Sequence, residues 1–239
     1  MRPRIPAILV LVATVAFAAS PLLTIGFSGF TPDQFPVPQD NPPVQPAGYA
    51  FSIWGVIYLW LIVGASFGVW RAAQDPNWQA MRFPLIISLG IGSFWIAAAN
   101  ASPILATVMI VLMAAFAITA MLRAGEAQPW LQVRPVALYA GWLTAATGVG
   151  VGVTLGGYAV LSAQAAAILC LVVVLVVALF VQSARPREWG YPAAIVWALI
   201  GVIVANAPAS NIPVIALAAL GAAIMTYRAL RAQTKEAAR

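Results

Sequence analysis

Eight apolar runs, separated by short polar connections, are the feature of this sequence that most restricts how the chain can fold. A bilayer core of about 30 Å is crossed by a helix of about 20 apolar residues. We predict membrane-spanning helices at residues 6–27, 49–70, 83–99, 104–122, 135–155, 158–182, 191–205 and 212–230. Only 8% of the residues are charged, against about 25% in a soluble domain. The sequence therefore predicts an all-α, polytopic helical membrane bundle.

The basic residues lie at one set of ends of the predicted spans. They are Arg2 and Arg4 before the first span, Arg71 and Arg82 after the second, Arg123 and Arg134 after the fourth, Arg185 and Arg187 after the sixth, and Arg228, Arg231, Lys235 and Arg239 at the end of the chain. By the positive-inside rule, both termini are predicted to be cytoplasmic, in a bacterial-type inner membrane. The net charge of +6 is thus assigned to membrane orientation, and no nucleic-acid partner is predicted.

The first 20 residues have a second reading. A basic start, an apolar stretch and small residues are also typical of a cleaved signal peptide. The apolar run continues to Phe27, which is longer than the apolar part of a typical signal peptide. An uncleaved first helix is therefore the preferred prediction.

The first outer connection, residues 28–46, is long and rich in proline, and it carries Asp33 and Asp40. Long loops in compact proteins are commonly functional, and proline reduces the conformational freedom of the unfolded chain. We predict that this segment is a lid over the bundle. A flexible linker is the alternative.

No acidic residue and no histidine lies within a predicted span, and the chain contains no histidine at all. Intramembrane ionisable groups are typical of proton relays and ion-coupled transport, so a pump is not predicted. Without histidine there is no usual partner for a nucleophilic serine or cysteine, and the usual axial haem ligand is missing. The single cysteine, Cys170, cannot form an internal disulfide. We predict that the protein is not an enzyme and has no metal site.

Aromatic residues are concentrated at the start of the second span, in "PAGYAFSIWGVIY" (46–58). Phe51, Trp54 and Tyr58 share one helix face at spacings of three and four residues, and Tyr139 and Trp142 form a similar pair on the fifth span. Aromatics at a bilayer boundary often form only an interfacial belt. A dense face of this kind also suits the wall of a pocket.

Two stretches resemble motifs of the TspO/MBR family, which comprises the tryptophan-rich sensory proteins and the mitochondrial translocator protein. "PAGYAFSIWGVIY" resembles the family's Pro-Pro-Gly-Trp-Val-Phe…Trp…Tyr signature. "LYAGWLTAATGVG" (138–150) is similar to Pro-Tyr-x-x-Trp…Ala-Thr-x-x-Asn, with Tyr139, Trp142 and Thr147 at matching positions. Leu138 and Gly150 depart from that pattern. The Asn-x-x-Trp of the third span is not kept, because Trp95 and Asn100 have another spacing.

The resemblance covers roughly residues 6–155, and the three further spans in 158–230 have no counterpart in five-helix family members. We therefore predict a five-helix core at residues 1–155, and a three-helix extension with a basic cytoplasmic tail at residues 156–239.

The resemblance implies a membrane receptor or sensor that binds a tetrapyrrole, lipid or carotenoid in a pocket below the first outer loop. The candidate ligand-binding residues are Pro46, Gly48, Tyr49, Phe51, Trp54, Tyr58, Trp95, Tyr139, Trp142 and Thr147. A bound porphyrin or carotenoid is the cofactor to expect. Without histidine, a porphyrin would be held by stacking and shape, in its metal-free form. The expected partners are the lipid bilayer and this hydrophobic small molecule.

Two other functions stay open from the sequence. Residues 82–124 and 190–232 look like duplicated helical hairpins, and internal repeats are common in transporters, so the chain also suits a facilitator for an uncharged solute. Alternatively, the aromatic residues meet partner helices or pigments, as in a structural subunit of a larger membrane complex. Assembly into a homo-oligomer also stays open.

Overall fold

The computed structural model describes residues 4–24 and 29–237, with side chains described as far as residue 234. Within these ranges the chain forms eight α-helices and two short 3₁₀ segments. The helices are α1 (Arg4–Leu23), α2 (Ile53–Trp70), α3 (Pro76–Ala101), α4 (Pro103–Arg123), α5 (Val133–Gly157), α6 (Ala163–Ala184), α7 (Gly190–Asn206) and α8 (Ile212–Ala237). The 3₁₀ segments are Pro32–Gln34 and Gly48–Ser52.

The predicted fold class, a polytopic helical membrane bundle, is confirmed. Among the described residues, seven helices are long and apolar enough to cross a membrane. The eighth, α7, has 17 residues and is about 25 Å long at 1.5 Å per residue. The end of the first predicted span, residues 25–27, lies outside the described residues.

Helices α3 and α6 begin away from their predicted positions because local capping groups decide where they start. Helix α3 begins at Pro76 rather than at residue 83, since the Asp75 side chain accepts a hydrogen bond from the Asn77 N–H and proline suits the first helical position. Helix α6 begins at Ala163 rather than at residue 158, where the Ser162 side chain supplies the cap.

The earlier start of α3 moves Arg82 from a predicted connection into a helix. Its side chain is only 2% exposed. The guanidinium donates to the carbonyl oxygens of Ala73 at 2.9 Å and Ala72 at 2.8 Å, just beyond the end of α2. A cation is favourable at a helix C-terminus, where carbonyl groups lack helical partners. Arg82 thus fixes the beginning of α3 against the end of α2.

The helices form two rings that share α5. In the first ring, α1, α2, α5, α4 and α3 pack in that circular order, and in the second α5, α6, α8 and α7 do so. Most of α5 is buried, 78% of its apolar stretch against 22–39% in the other candidate spans. Helix α5 is therefore the central element of the bundle.

Small residues allow the neighbouring helices to approach α5 closely. A side chain at Gly141 would collide with the backbone of Tyr191 in α7, and one at Gly148 would collide with Val174 in α6. Small residues have this role in many membrane helix interfaces. The Tyr191 hydroxyl also donates to Thr144 Oγ1 at 3.1 Å. The division of the chain at residue 155 stays a prediction, but one continuous hydrophobic core includes residues from both sides of it.

The two stretches predicted to be duplicated hairpins are both helical hairpins, α3–α4 and α7–α8. They meet the central helix differently, because α4 packs on α5 in the first hairpin and α7 does so in the second. Helices that match in sequence therefore lie at different positions in the bundle.

Residues 29–47, which we call the cover segment, lie across the ends of α3, α5 and α7. The hydrogen bonds that hold it join Gln34 Nε2 to Ala99 O (2.9 Å), Val37 N to Gly157 O (2.9 Å), Asn206 Nδ2 to Pro43 O (2.8 Å) and Ala47 N to Gly201 O (3.0 Å). An added side chain at Gly201 would lie 2.8 Å from Pro46 Cβ, so glycine is what allows this approach. The cover segment is packed against the bundle at both of its ends.

Candidate functional site

A cavity of 420 Å³, which we call the main cavity, lies inside the first helical ring. All five helices of the ring contribute to its wall, together with the 3₁₀ segment that leads into α2. Its aromatic lining consists of Phe17, Phe51, Trp54, Tyr58, Trp95 and Trp142, and none of its lining residues is charged. The interior of this ring is thus an apolar cavity with an aromatic wall.

The aromatic rings are arranged by the way the chain enters α2. The segment Gly48–Ser52 is 3₁₀ and α2 begins at Ile53, so Phe51 stands at the entrance and Trp54 and Tyr58 follow on the same side. Trp54 and Tyr58 are stacked, with ring centroids 5.3 Å apart and planes inclined by 16°. The predicted aromatic face of the second span therefore borders the cavity.

Trp142 from α5 and Phe17 from α1 complete the wall. Trp142 meets Phe51 and Trp54 edge to face, at centroid distances of 5.9 and 6.1 Å. Phe17 meets Trp54 at 5.6 Å and Tyr58 at 5.2 Å, again edge-on. Edge-to-face pairs are favourable for aromatic rings, and here they connect three helices around the cavity.

The indole nitrogens of the aromatic wall are hydrogen-bond donors, and the Tyr58 hydroxyl can donate or accept. Trp95 Nε1 donates to the Ala106 carbonyl oxygen at 2.9 Å. Within the described chain, Trp142 Nε1 is shielded from solvent and has no hydrogen-bond partner. The Trp54 indole N–H and the Tyr58 hydroxyl also form no hydrogen bond with any described residue. The wall is therefore able to donate hydrogen bonds to a ligand that carries acceptor atoms.

Six of the ten predicted site residues line the main cavity: Gly48, Phe51, Trp54, Tyr58, Trp95 and Trp142. A side chain at Gly48 would meet no atom within 4 Å, so glycine at this position leaves open space. Pro46 lines a second, smaller cavity of 80 Å³ that adjoins the first.

The other three predicted residues do not line the main cavity. Tyr139 is fully buried behind Phe17 and Trp54, where its hydroxyl and Ser88 Oγ are 3.0 Å apart. Thr147 connects α5 to α4 by donating to the Ile110 carbonyl oxygen at 3.3 Å. Tyr49 is 44% exposed and lies edge-on to Trp197 of α7.

Sequence reasoning missed Phe17, which contacts more of the aromatic wall than several predicted residues do. Phe17 is the one aromatic residue of α1, and this was the only signal in the sequence that it lines a cavity. A single phenylalanine in an apolar span is too common to indicate a site. Gly92 of α3 makes room for it, because an added Cβ there would lie 2.7 Å from the Phe17 ring.

These features define a helical membrane protein with an uncharged aromatic cavity and a proline-rich cover segment packed on the bundle. The family model described as TSPO-like protein matches residues 7–230. The chain belongs to this family, and the match includes the last three helices as well as the first five. No curated protein and no solved structure matches the chain. At the level of the family, the chain is a multi-pass membrane protein of the sensor and ligand-binding type, and the family is generally non-enzymatic.

Proposed function

We propose that the protein binds a flat hydrophobic ligand, a tetrapyrrole in its metal-free form, in the main cavity and acts as a sensor of that ligand. The observation that carries the proposal is the wall of six aromatic side chains without a charged neighbour. The volume of the main cavity, 420 Å³, falls within the range of about 300–1,000 Å³ that is usual for small-molecule sites.

The unpartnered donors favour a tetrapyrrole over a carotenoid. A carotenoid hydrocarbon would leave Trp54, Tyr58 and Trp142 without acceptors, and an unsatisfied buried donor costs about 1–3 kcal/mol. A tetrapyrrole combines a planar ring that can stack on indole with carboxylate or carbonyl groups at its edge. Such a ligand matches both the shape and the polarity of this wall. Since the chain has no histidine, stacking and hydrogen bonds hold it, and not an axial ligand.

The cover segment provides a route from binding to signalling. Phe51 of the cavity wall is four residues beyond Ala47, whose N–H donates to the Gly201 carbonyl oxygen at 3.0 Å. A ligand that displaces Phe51 therefore acts directly on the attachment of the cover segment to α7. The altered packing of this segment is the signal that a partner reads.

We place the basic connections and both termini in the cytoplasm of a bacterial-type cell, following the positive-inside rule. The cover segment then faces the outer side of the inner membrane. In this orientation the ligand enters from the outer side or from the outer leaflet.

Titration with protoporphyrin IX in nanodiscs, followed by quenching of tryptophan fluorescence, tests the proposal. We expect Trp54→Leu and Trp142→Leu each to weaken binding by about 1–3 kcal/mol, the scale of losing a stacked aromatic ring and its buried area. Trp70→Leu is the matched control, because Trp70 is 80% exposed, ends α2 and does not line the main cavity. Parent-like affinity in both cavity variants, or no binding by the parent, would refute the proposal.

A further inference from the structure

The smaller cavity, which we call the side cavity, adjoins the main cavity. Both are lined by Phe51, Trp95, Ile110, Trp142 and Ala146. From this shared boundary the side cavity extends between α4, α5, α6 and α7, below the cover segment. Its walls therefore include two helices that belong to the second ring alone.

The side cavity differs from the main one in size and in chemistry. Its volume is 80 Å³ against 420 Å³, and aliphatic residues such as Leu171, Val174, Leu199 and Val202 form its far wall. The Thr107 hydroxyl, one of its few polar groups, is already hydrogen-bonded to Thr154 at 2.9 Å. A cavity of this kind does not hold water well. At 80 Å³ the side cavity is too small for a tetrapyrrole ring, and its apolar wall suits an aliphatic chain.

Two indoles lie at the boundary between the cavities, and only one of them is held by a hydrogen bond. Trp95 Nε1 is held by the Ala106 carbonyl oxygen, whereas Trp142 Nε1 has no partner among the described residues. A rotation of Trp142 therefore breaks no hydrogen bond. It exchanges edge contacts with Phe51 and Trp54 for contacts with a ligand that passes between the cavities.

We propose that the natural ligand is a ring compound with an aliphatic tail, whose ring occupies the main cavity and whose tail occupies the side cavity past Trp142. This inference rests on the proposed function, because the ring must first bind in the main cavity. It adds the class of ligand: a prenylated or otherwise alkyl-esterified ring, in place of a bare one.

The test compares the methyl and hexyl esters of metal-free pheophorbide, which share one ring and differ only in the alkyl group. We expect the hexyl ester to bind the parent protein at least fivefold more tightly than the methyl ester. Two variants narrow the side cavity without touching the main one. Ala198→Leu adds bulk from α7, and Gly150→Ala adds a methyl group whose nearest neighbours would be 3.6 Å away.

We define the hexyl preference as the Kd of the methyl ester divided by the Kd of the hexyl ester. In both variants this ratio should fall toward one, while the affinity for the methyl ester stays within twofold of the parent. The control is Ala193→Leu, on the exposed side of the same helix as Ala198, which should keep the full preference. Partition of the esters into detergent or lipid affects all four proteins equally and cancels in this comparison.

Gly150→Ala decides the outcome if Ala198→Leu does not fold, since its methyl group fits at ordinary van der Waals distance. Two results would overturn the inference. If both esters bind and neither variant lowers the hexyl preference, the tail lies elsewhere and the proposed function still stands. If the parent binds neither ester, the inference fails, and the proposed function fails with it only if protoporphyrin IX does not bind either.

Discussion

Removing the ring of Phe35 should release the cover segment and speed ligand dissociation. Phe35 is 5% exposed, and its ring meets Phe30 at 5.7 Å and Tyr158 at 6.1 Å, both edge-on. The Phe35 ring occupies the space that a side chain at Gly157, the last residue of α5, would fill. Phe35 is thus an apolar anchor between the cover segment and the central helix.

The size of the effect follows from this burial. Phenylalanine-to-alanine substitutions in packed sites cost about 3–5 kcal/mol. We take the lower end, about 3 kcal/mol, because the site lies at the end of the bundle. Since about 1.4 kcal/mol corresponds to a factor of ten, Phe35→Ala should favour the open cover segment by roughly 100-fold. If the ligand leaves through this opening, its off-rate should rise by up to the same factor.

Two measurements on the same samples separate opening from release. Amide hydrogen exchange of residues 29–47 reports opening of the cover segment, and dilution of protoporphyrin-loaded nanodiscs reports the off-rate. Val37→Ala is the control, since Val37 is in the same segment but 42% exposed, and both of its rates should stay near those of the parent. Faster exchange with an unchanged off-rate would show that the segment does not gate the ligand. Unchanged exchange would refute the role of Phe35 as anchor.

Two further predictions concern topology and pH. Single cysteines at Asp33 and Gln233, in a Cys170→Ala background, should react with an impermeant reagent from opposite sides of the membrane; labelling from one side would contradict the eight-span topology. The pKa of Glu188 is raised from its ordinary value of 4.5, chiefly because burial disfavours the charged form. A raised carboxyl pKa means that folding is favoured by the protonated form, so this contribution to stability is present below pH 4.5 and is lost as pH rises through the folded pKa. In Glu188→Gln the amide oxygen can still accept a hydrogen bond from the Gly190 N–H. The melting temperature of this variant should therefore exceed that of the parent at neutral pH but not at pH 4. Equal melting temperatures of variant and parent at both pH values would refute this prediction.

Much of the helical framework was predictable because it depends on local properties of the chain. Apolar length and the one-sided placement of arginine indicate the number of helices before any contact between them is known. Where the observed helix boundaries differ from the predicted ones, local sequence signals would have improved the prediction. Asp75 followed by Pro76 is a recognisable helix start, and Ser162 has the same role for α6.

The candidate site was predictable only where helical periodicity places side chains together. Phe51, Trp54 and Tyr58 are close in sequence, so their common face follows from local geometry. Tyr49 belongs to the same aromatic stretch, yet it contacts Trp197 of α7, because the direction of each side chain in the 3₁₀ entrance depends on its own position in the turn. Phe17 was missed because its neighbours in the cavity wall come from other helices.

The sequence by itself determined that the protein is a helical membrane protein with an aromatic face and a basic set of helix ends, because hydropathy, charge and periodicity are properties of each segment alone. Only the tertiary structure decided that α5 is shared by two rings, that Phe17 completes the aromatic wall, and that a side cavity opens beyond Trp142. In an apolar solvent, burial of apolar surface does not select which helices become neighbours. The close approach of backbones selects the neighbours. At Gly141 and Gly201 this approach depends on residues about 50 and 150 positions away in the chain.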